Sequence, residues 1–306
     1  MAEMKDRFVR FDWAIKRLLR QKANFGVLEG FLTVFLGEKV TIVDILESES
    51  NQQDEFDKFN RVDIKARNSK GEIIIVEVQN TSEVFYLERI LYGVAKAITE
   101  HISLGDDYGE VKKVYSISVL YFDLGEGDDY LYKGQTSFFG IHTNDELKIT
   151  TRQRDAIVRK APEEIFPTYY LIRVNNFDRV AVSPMEEWMR YLKKGEISAD
   201  AKAPGLQEAR EKLLYYQMDP AERHAYDEHL NAVMIQNDVL GNARAEGLAE
   251  GRIEGRAEGK AEGLAEGKTS QQMLTARTML SDGMSIDLVA KYTGLTKSQI
   301  EAFAAE

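Results

Sequence analysis

The most constraining stretch of the chain is RVDIKARNSKGEIIIVEVQN, residues 61–80. RVDIKA alternates apolar and polar residues as a half-buried strand does, and EIIIVEVQ is a β-branched apolar run suited to a sheet interior. A three-residue loop, Ser69-Lys70-Gly71, joins them and puts glycine at the left-handed position such loops favour. In that register, residues whose numbers sum to 140 are cross-strand partners: Asp63 faces Glu77, Arg61 faces Gln79 and Lys65 faces Ile75.

Strand side chains alternate faces, so Ile73, Ile75, Glu77 and Gln79 project together. Directly opposed residues have Cβ atoms about 5 Å apart, and two carboxylates at that distance repel unless something lies between them. A divalent cation resolves the repulsion. Asp63, Glu77 and a backbone carbonyl near residue 78 would hold Mg²⁺ and leave waters for a phosphate. A two- or four-residue turn would give an odd sum and send the carboxylates to opposite faces. The competing reading is an exposed edge hairpin with ordinary surface charges.

The flanking elements give this hairpin a setting. Helical periodicity runs from Asp12 to about Leu36 with a break near Asn24 to Gly26, and KVTIVDILES (39–48) reads as a strand. The polar, acidic stretch 51–60 reads as a loop or a ragged strand start. Residues 82–103 form an amphipathic helix capped by Thr81 or Ser82, and VYSISVLYF (114–122) is a further strand. Beyond Gly125, SFFGIHT and TYYLIRVNNF (168–177) are expected as strands. Ser183 is a good N-cap with proline at the first helical position, and the chain then reads helical to Gly241.

Residues 245–268 repeat with a period of four, AEGLAEGRIEGRAEGKAEGLAEGK. Each glycine costs roughly 1 kcal/mol against alanine in a helix, and the glutamates fall at repelling i, i+4 positions, so an isolated helix there would be poor. The repeat is either a glycine stripe for close helix packing in a homo-oligomer or a low-complexity spacer. In the tail, Ser285 caps one helix, Thr296 and Gln299 form a capping box for the next, and Ala290, Gly294 and Ile300 have helix-turn-helix spacing. Only Lys297, Ser298 and Gln299 would face a DNA groove, so the tail is either a DNA reader or a self-association hairpin.

Of the 306 residues, 43% are hydrophobic, enough to build a substantial core. No cysteine is present, which excludes disulfides and thiolate chemistry and fits a reducing cytoplasm. No apolar run of 18 or more residues appears, so no membrane span is expected. The net charge of −11 weighs against a simple basic nucleic-acid footprint, although metal-dependent phosphate chemistry uses acidic clusters of its own.

The order α-β-β-β-α-β, with Asp63 on the second strand and Glu77-Val78-Gln79 on the third, resembles the PD-(D/E)XK nuclease superfamily. More narrowly, FDWAIKRLL, RVDIKARNSKGEIIIVEVQN, YLERILYGVAKAI, SPMEEWMRYLKK and the AEG repeats resemble the bacterial recombination-promoting nuclease and transposase family. The resemblance implies a restriction-endonuclease-like α/β core and a Mg²⁺-dependent DNA endonuclease. Asp63 and Glu77 would be metal ligands and Gln79 a catalytic position. Gln79 stands where the superfamily's name has lysine, and glutamine cannot supply a cation to the transition state. Asp12 matches a family position and is an accessory candidate, with helix capping as its alternative role.

Phosphate contacts are sought among Arg61 and Lys65, on the carboxylate face, and Arg89, which shares one side of the following helix with Phe85 and Tyr92. Lys58 is a weaker candidate. A salt bridge is the alternative for Arg89. The four histidines, His101, His142, His224 and His229, show no metal-ligand spacing and are expected at the surface. GEGDD (125–129) lacks a phosphate loop's strand-to-helix context.

The expected organisation is a nuclease-like domain over 1–178, a helical region over 179–243, the AEG repeat over 244–268 and a helix-turn-helix-like tail over 269–306. The expected function is metal-dependent DNA cleavage, linked to recombination or mobile elements. The alternative is a catalytically weak member of the same fold acting as a DNA-binding or oligomeric scaffold.

Overall fold

The computed structural model describes residues 8–17, 19, 21–46, 62–103, 105–153 and 156–304. The chain divides into two compact units, Met1–Leu230 and Asn231–Glu306. The stretch 51–60, and Lys58 and Arg61 with it, lies outside the described residues.

The first unit opens with helices α1 (Phe11–Arg17) and α2 (Phe25–Leu36), separated by a short 3-10 turn at Lys22–Asn24, just before the expected break near Asn24 to Gly26. Gly37, with φ of 74°, ends α2 in the left-handed conformation that glycine adopts without penalty. Strands β1 (Ile42–Leu46), β2 (Ile64–Asn68) and β3 (Ile73–Gln79) follow, then α3 (Tyr86–Thr99) and β4 (Val114–Leu120). This is the expected α-β-β-β-α-β order, and the architecture is a restriction-endonuclease-like α/β core. The later strands are β5 (Leu131–Gly134), β6 (Ile149–Gln153), β7 (Ala156–Lys160) and β8 (Thr168–Arg173).

Six strands form one mixed sheet in the order β1-β2-β3-β4-β8-β5, and β6 with β7 makes a separate hairpin. β1, β2 and β3 pair antiparallel, β3, β4 and β8 pair parallel, and β5 closes the far edge antiparallel to β8. SFFGIHT contributes only an isolated bridge, Phe139 to Glu146, because its ring-bearing residues lie at the surface with no neighbouring strand to pair. The sheet uses β5 at that edge instead.

The β3 register explains its composition. Six of its seven residues are buried because both faces are covered, as expected of a strand at the parallel centre of a sheet. Ile74, Val76 and Val78 join the main core with Phe11, Phe31, Trp188 and Tyr191. Ile73 and Ile75 face the other way, onto Val94 and Ala97 of α3. Burying each such aliphatic side chain contributes about 1.5–3 kcal/mol, which fixes α3 across the face that carries Glu77.

Helices α4 (Pro184–Lys194) and α5 (Leu206–Lys212), and the first turns of α6 (Pro220–Ser281), pack into the same core as α1 and α2. Residues 179–230 therefore belong to the first unit, since Trp188, Tyr191, Leu206, Leu213 and Tyr226 are all buried in its core. Ser183 caps α4 with proline at its start, as expected, and also forms a capping box with Glu186. Gly30 and Gly205 let α2 and α5 touch backbone to backbone, for a Cβ at Gly30 would meet the Gly205 Cα at 2.4 Å.

In the second unit, α6 is helical through the whole AEG repeat, and a Cβ at any of its repeat glycines would meet open space. The penalties read from the sequence are thus local costs inside a 62-residue helix. Helices α7 (Ile286–Thr293) and α8 (Lys297–Ala304) enclose a small core of Ala276, Val289, Leu295 and Ile300. Gly294, at φ of 72°, makes the turn after α7. Thr296 and Gln299 exchange the capping-box bonds at 2.9 and 3.3 Å. Ser285 sits at the N-cap of α7 without a side-chain cap bond.

Candidate functional site

The β2–β3 hairpin has the register that a three-residue loop demands. Lys65 opposes Ile75, Ala66 opposes Ile74, and Gly71 has a φ of 79°. Regular pairing ends at Ile64 and Val76. One residue earlier, Asp63 bends out of the ladder and its Oδ2 accepts the Val78 N–H at 2.7 Å. A carboxylate thereby satisfies a strand donor that would otherwise need a backbone partner. Its other oxygen, Oδ1, lies 3.8 Å from the Lys16 ammonium of α1.

Glu77 sits on the α3 face beside Ser118 of β4 and is only 5% exposed. Burial pushes its carboxyl up to about 7; Arg89 acts against that rise, and the nearby charge of Asp63 adds to it. The hairpin therefore places two carboxyls within electrostatic reach of one another. Arg89, one turn into α3, forms ion pairs with both Glu77 and Glu83. Glu83 also accepts the Gln79 amide at 2.8 Å. A chain of side chains, Gln79–Glu83–Arg89–Glu77, thus crosses the site. It accounts for the late start of α3, at Tyr86 rather than at Thr81 or Ser82, because the segment before it turns so that Glu83 meets Gln79 and Arg89.

The other candidates are placed as follows. Lys65 shares the carboxylate face but pairs with Glu100 of the α3 C-terminal end at 2.6 Å, so its charge is directed away from Glu77. Arg89 forms the salt bridge that was the alternative to phosphate contact. Asp12 is not at the N-cap position of α1, although it accepts one first-turn N–H of that helix. It lies in the first turn, fully buried, and accepts bonds from Arg10, from the Asn80 amide at 3.2 Å and from the Trp13 N–H at 3.0 Å. His229 of α6, expected at the surface, is half-buried, with Nε2 3.0 Å from the same carboxylate and its ring against Trp13. Burial alone would raise Asp12, but His229 and Arg10 together hold it well below the usual carboxylate range. Asn80 directly follows Gln79, so this cluster secures the β3 exit.

Lys16, Glu83, Asn80 and His229 are the residues that sequence reasoning did not single out. For Lys16 a signal existed: it is four residues after the accessory candidate Asp12, one helical turn on.

The carboxyl pair has the donor chemistry of a magnesium site. Mg²⁺ is commonly held by one or two carboxylates, with waters and substrate phosphate completing its shell. Here Lys16 stands beside Asp63 and Arg89 pairs with Glu77. Among the described residues no group of three or more acidic or histidine ligands converges. Asp63 and Glu77 would therefore supply the protein's share, and water or phosphate the rest.

Fold and site define a nuclease-like class of protein, a mixed sheet with an acidic pair at the end of a central hairpin. Residues 9–150 match the family described as PD-(D/E)XK nuclease family transposase. Residues 272–304 match the C-terminal HTH domain of the Rpn/YhgA-like nuclease family. The two matches, in this order along the chain, support the Rpn-type PD-(D/E)XK family. No curated protein and no solved structure matches it. Among the described residues, no helix is long and apolar enough to cross a membrane.

In the helix-turn-helix domain, Lys297 pairs with Asp287 and Gln299 is used in the capping box. Ser298 Oγ also lies 3.3 Å from Thr296 Oγ1, so all three residues expected to meet a groove make intramolecular bonds.

Proposed function

We propose that the protein is a divalent-metal-dependent DNA endonuclease that hydrolyses phosphodiester bonds, and that its family's association with transposases reflects a role in recombination or mobile elements. The observation that carries this reading is the hairpin register, which brings Asp63 and Glu77 together at the end of β3. Asp63 and Glu77 would hold Mg²⁺, which when bound polarises phosphate and lowers the pKa of a coordinated water. Asp63 keeps Oδ2 on the Val78 N–H, and its Oδ1 lies 3.8 Å from the Lys16 ammonium. Gln79 offers an amide rather than a charge, and it orients substrate or water only once it leaves Glu83. The helix-turn-helix domain would add DNA affinity. The absence of cysteine favours a cytoplasmic setting.

One observation favours a second reading, a catalytically weak scaffold. Both carboxylates carry protein cations, and Gln79 is bonded to Glu83. Such a protein would bind DNA, or assemble through its repeat and tail, without cutting.

Plasmid nicking with and without Mg²⁺, comparing wild type with Glu77→Ala, separates the two. Cleavage that needs both the metal and Glu77 supports the nuclease. Equal nicking by both proteins refutes the site assignment, and no nicking by either leaves the scaffold.

A further inference from the structure

Phosphodiester hydrolysis gathers negative charge on the non-bridging oxygens as water adds to phosphorus, and a fixed cation there is worth far more than a neutral amide. The strand position that would bear that cation holds Gln79. The cations around the carboxyl pair can therefore be compared by what each is already doing. Arg89 is bound to two glutamates. Lys65 is bound to Glu100. Arg10 is held by Asp12, and Arg17 lies over the Trp13 ring.

Lys16 differs from all of these. Its helix is anchored by Phe11, Asp12, Trp13, Ala14 and Ile15, all buried, so its backbone is fixed. Its ammonium stands 3.8 Å from Asp63 Oδ1, and its charge also reaches Glu77. Its side chain is 46% exposed, so the cation is open to an incoming ligand while held over the pair.

Resting on the nuclease reading above, we propose that Lys16 is a catalytic residue that contacts the scissile phosphate and supplies the positive charge that Gln79 cannot. In the hydrolysis a bond forms from the water oxygen to phosphorus, and the bond to one ester oxygen breaks with its electron pair. One water proton ends on the leaving oxygen and the other stays with the new phosphate oxygen. Lys16 neither gains nor loses a proton. It neutralises the charge that builds on a non-bridging oxygen, which places its effect on kcat more than on DNA affinity. The substrate class is any phosphodiester that fits the cleft, since an ammonium reads phosphate and not base.

The test uses full-length protein and a supercoiled plasmid, with Mg²⁺, comparing wild type, Lys16→Ala, Lys16→Arg and Glu77→Ala. Lys16→Ala is expected to lower kcat about 100-fold with KM for DNA changed less than about threefold, as for loss of one charge-stabilising donor. Lys16→Arg should recover at least tenfold of that loss, which a structural role would not require. Matching circular dichroism melts establish that Lys16→Ala is folded. Loss of activity in Glu77→Ala with Lys16→Ala near wild type overturns the assignment of Lys16 and leaves the nuclease reading intact. An effect of Lys16→Ala confined to KM also overturns it, by making Lys16 a binding residue only. Absence of cleavage in wild type overturns both.

Discussion

Arg89 and Glu77 form an ion pair across the α3–β3 contact in which the carboxylate is buried and the guanidinium is only partly covered. The same guanidinium holds Glu83, which holds Gln79. A single arginine thus governs the charge balance of the whole site, and its removal separates folding from chemistry.

Replacing Arg89 with alanine leaves Glu77 buried beside Asp63 without its principal cation. Breaking a buried pair from one side costs several kcal/mol, and partial exposure of Arg89 lowers this to about 2 kcal/mol near pH 8. Near pH 6 the penalty shrinks, because an unpaired Glu77 takes up a proton. Urea denaturation at both pH values measures it; an equal loss at each would contradict the pairing.

The Glu77 carboxyl, raised to about 7 by burial in spite of Arg89, gives a definite sign to stability against pH. The folded state binds this proton more tightly than the unfolded chain. Its contribution is therefore complete below the ordinary glutamate range and is lost as pH climbs through about 7. Glu77→Gln mimics the protonated form. It should match wild type near pH 4.5 and exceed it by about 1–3 kcal/mol at pH 8, from the same linkage. Chemical denaturation across that range is the measurement, and a Gln variant less stable at pH 8 would refute the assigned environment.

Gly71 closes the hairpin with a φ of 79° and open space around its Cβ position. Substitution by alanine brings backbone strain without a clash, about 1–2 kcal/mol, and Gly71→Asn costs less because asparagine tolerates that conformation. Thermal melts of both variants should show the ordering alanine below asparagine below wild type.

Gly30 has the opposite problem. Its conformation is ordinarily helical, but the Gly205 backbone fills the place of a Cβ. Gly30→Ala must push α5 away from α2, for a loss of about 1–3 kcal/mol. The companion variant Gly247→Ala, in the exposed repeat, should raise rather than lower helix stability by up to about 1 kcal/mol. Circular dichroism melts of the two variants would then move in opposite directions.

The hairpin was legible in the sequence because its determinants are local: a glycine able to take a positive φ, alternation on one arm and a two-sided apolar run on the other. The Ser183 cap with proline directly after it, and the Thr296–Gln299 box, were legible for the same reason, each confined to a few neighbouring residues. The rest of the site depends on distant partners. Lys16 meets Asp63 from another element, and His229 meets Asp12 from 217 residues away. No periodicity records such encounters. Lys65 was correctly placed on its face, yet its partner is set by where α3 ends, at Glu100. The assignment of 179–230 to the first unit likewise rests on Trp188 and Tyr226 finding a core built by the N-terminal helices.

The period-four repeat within α6 carries a consequence for how such a gene can change. A helix advances about 100° and 1.5 Å per residue. Duplicating one AEG-type unit therefore lengthens α6 by about 6 Å and turns everything after it by about 40° around the helix axis, without breaking the hydrogen-bond ladder. Because every unit is nearly the same tetrapeptide, the gain or loss of a whole unit leaves the pattern of its neighbours unchanged. The repeat is a ratchet on which length and phase change together in fixed steps.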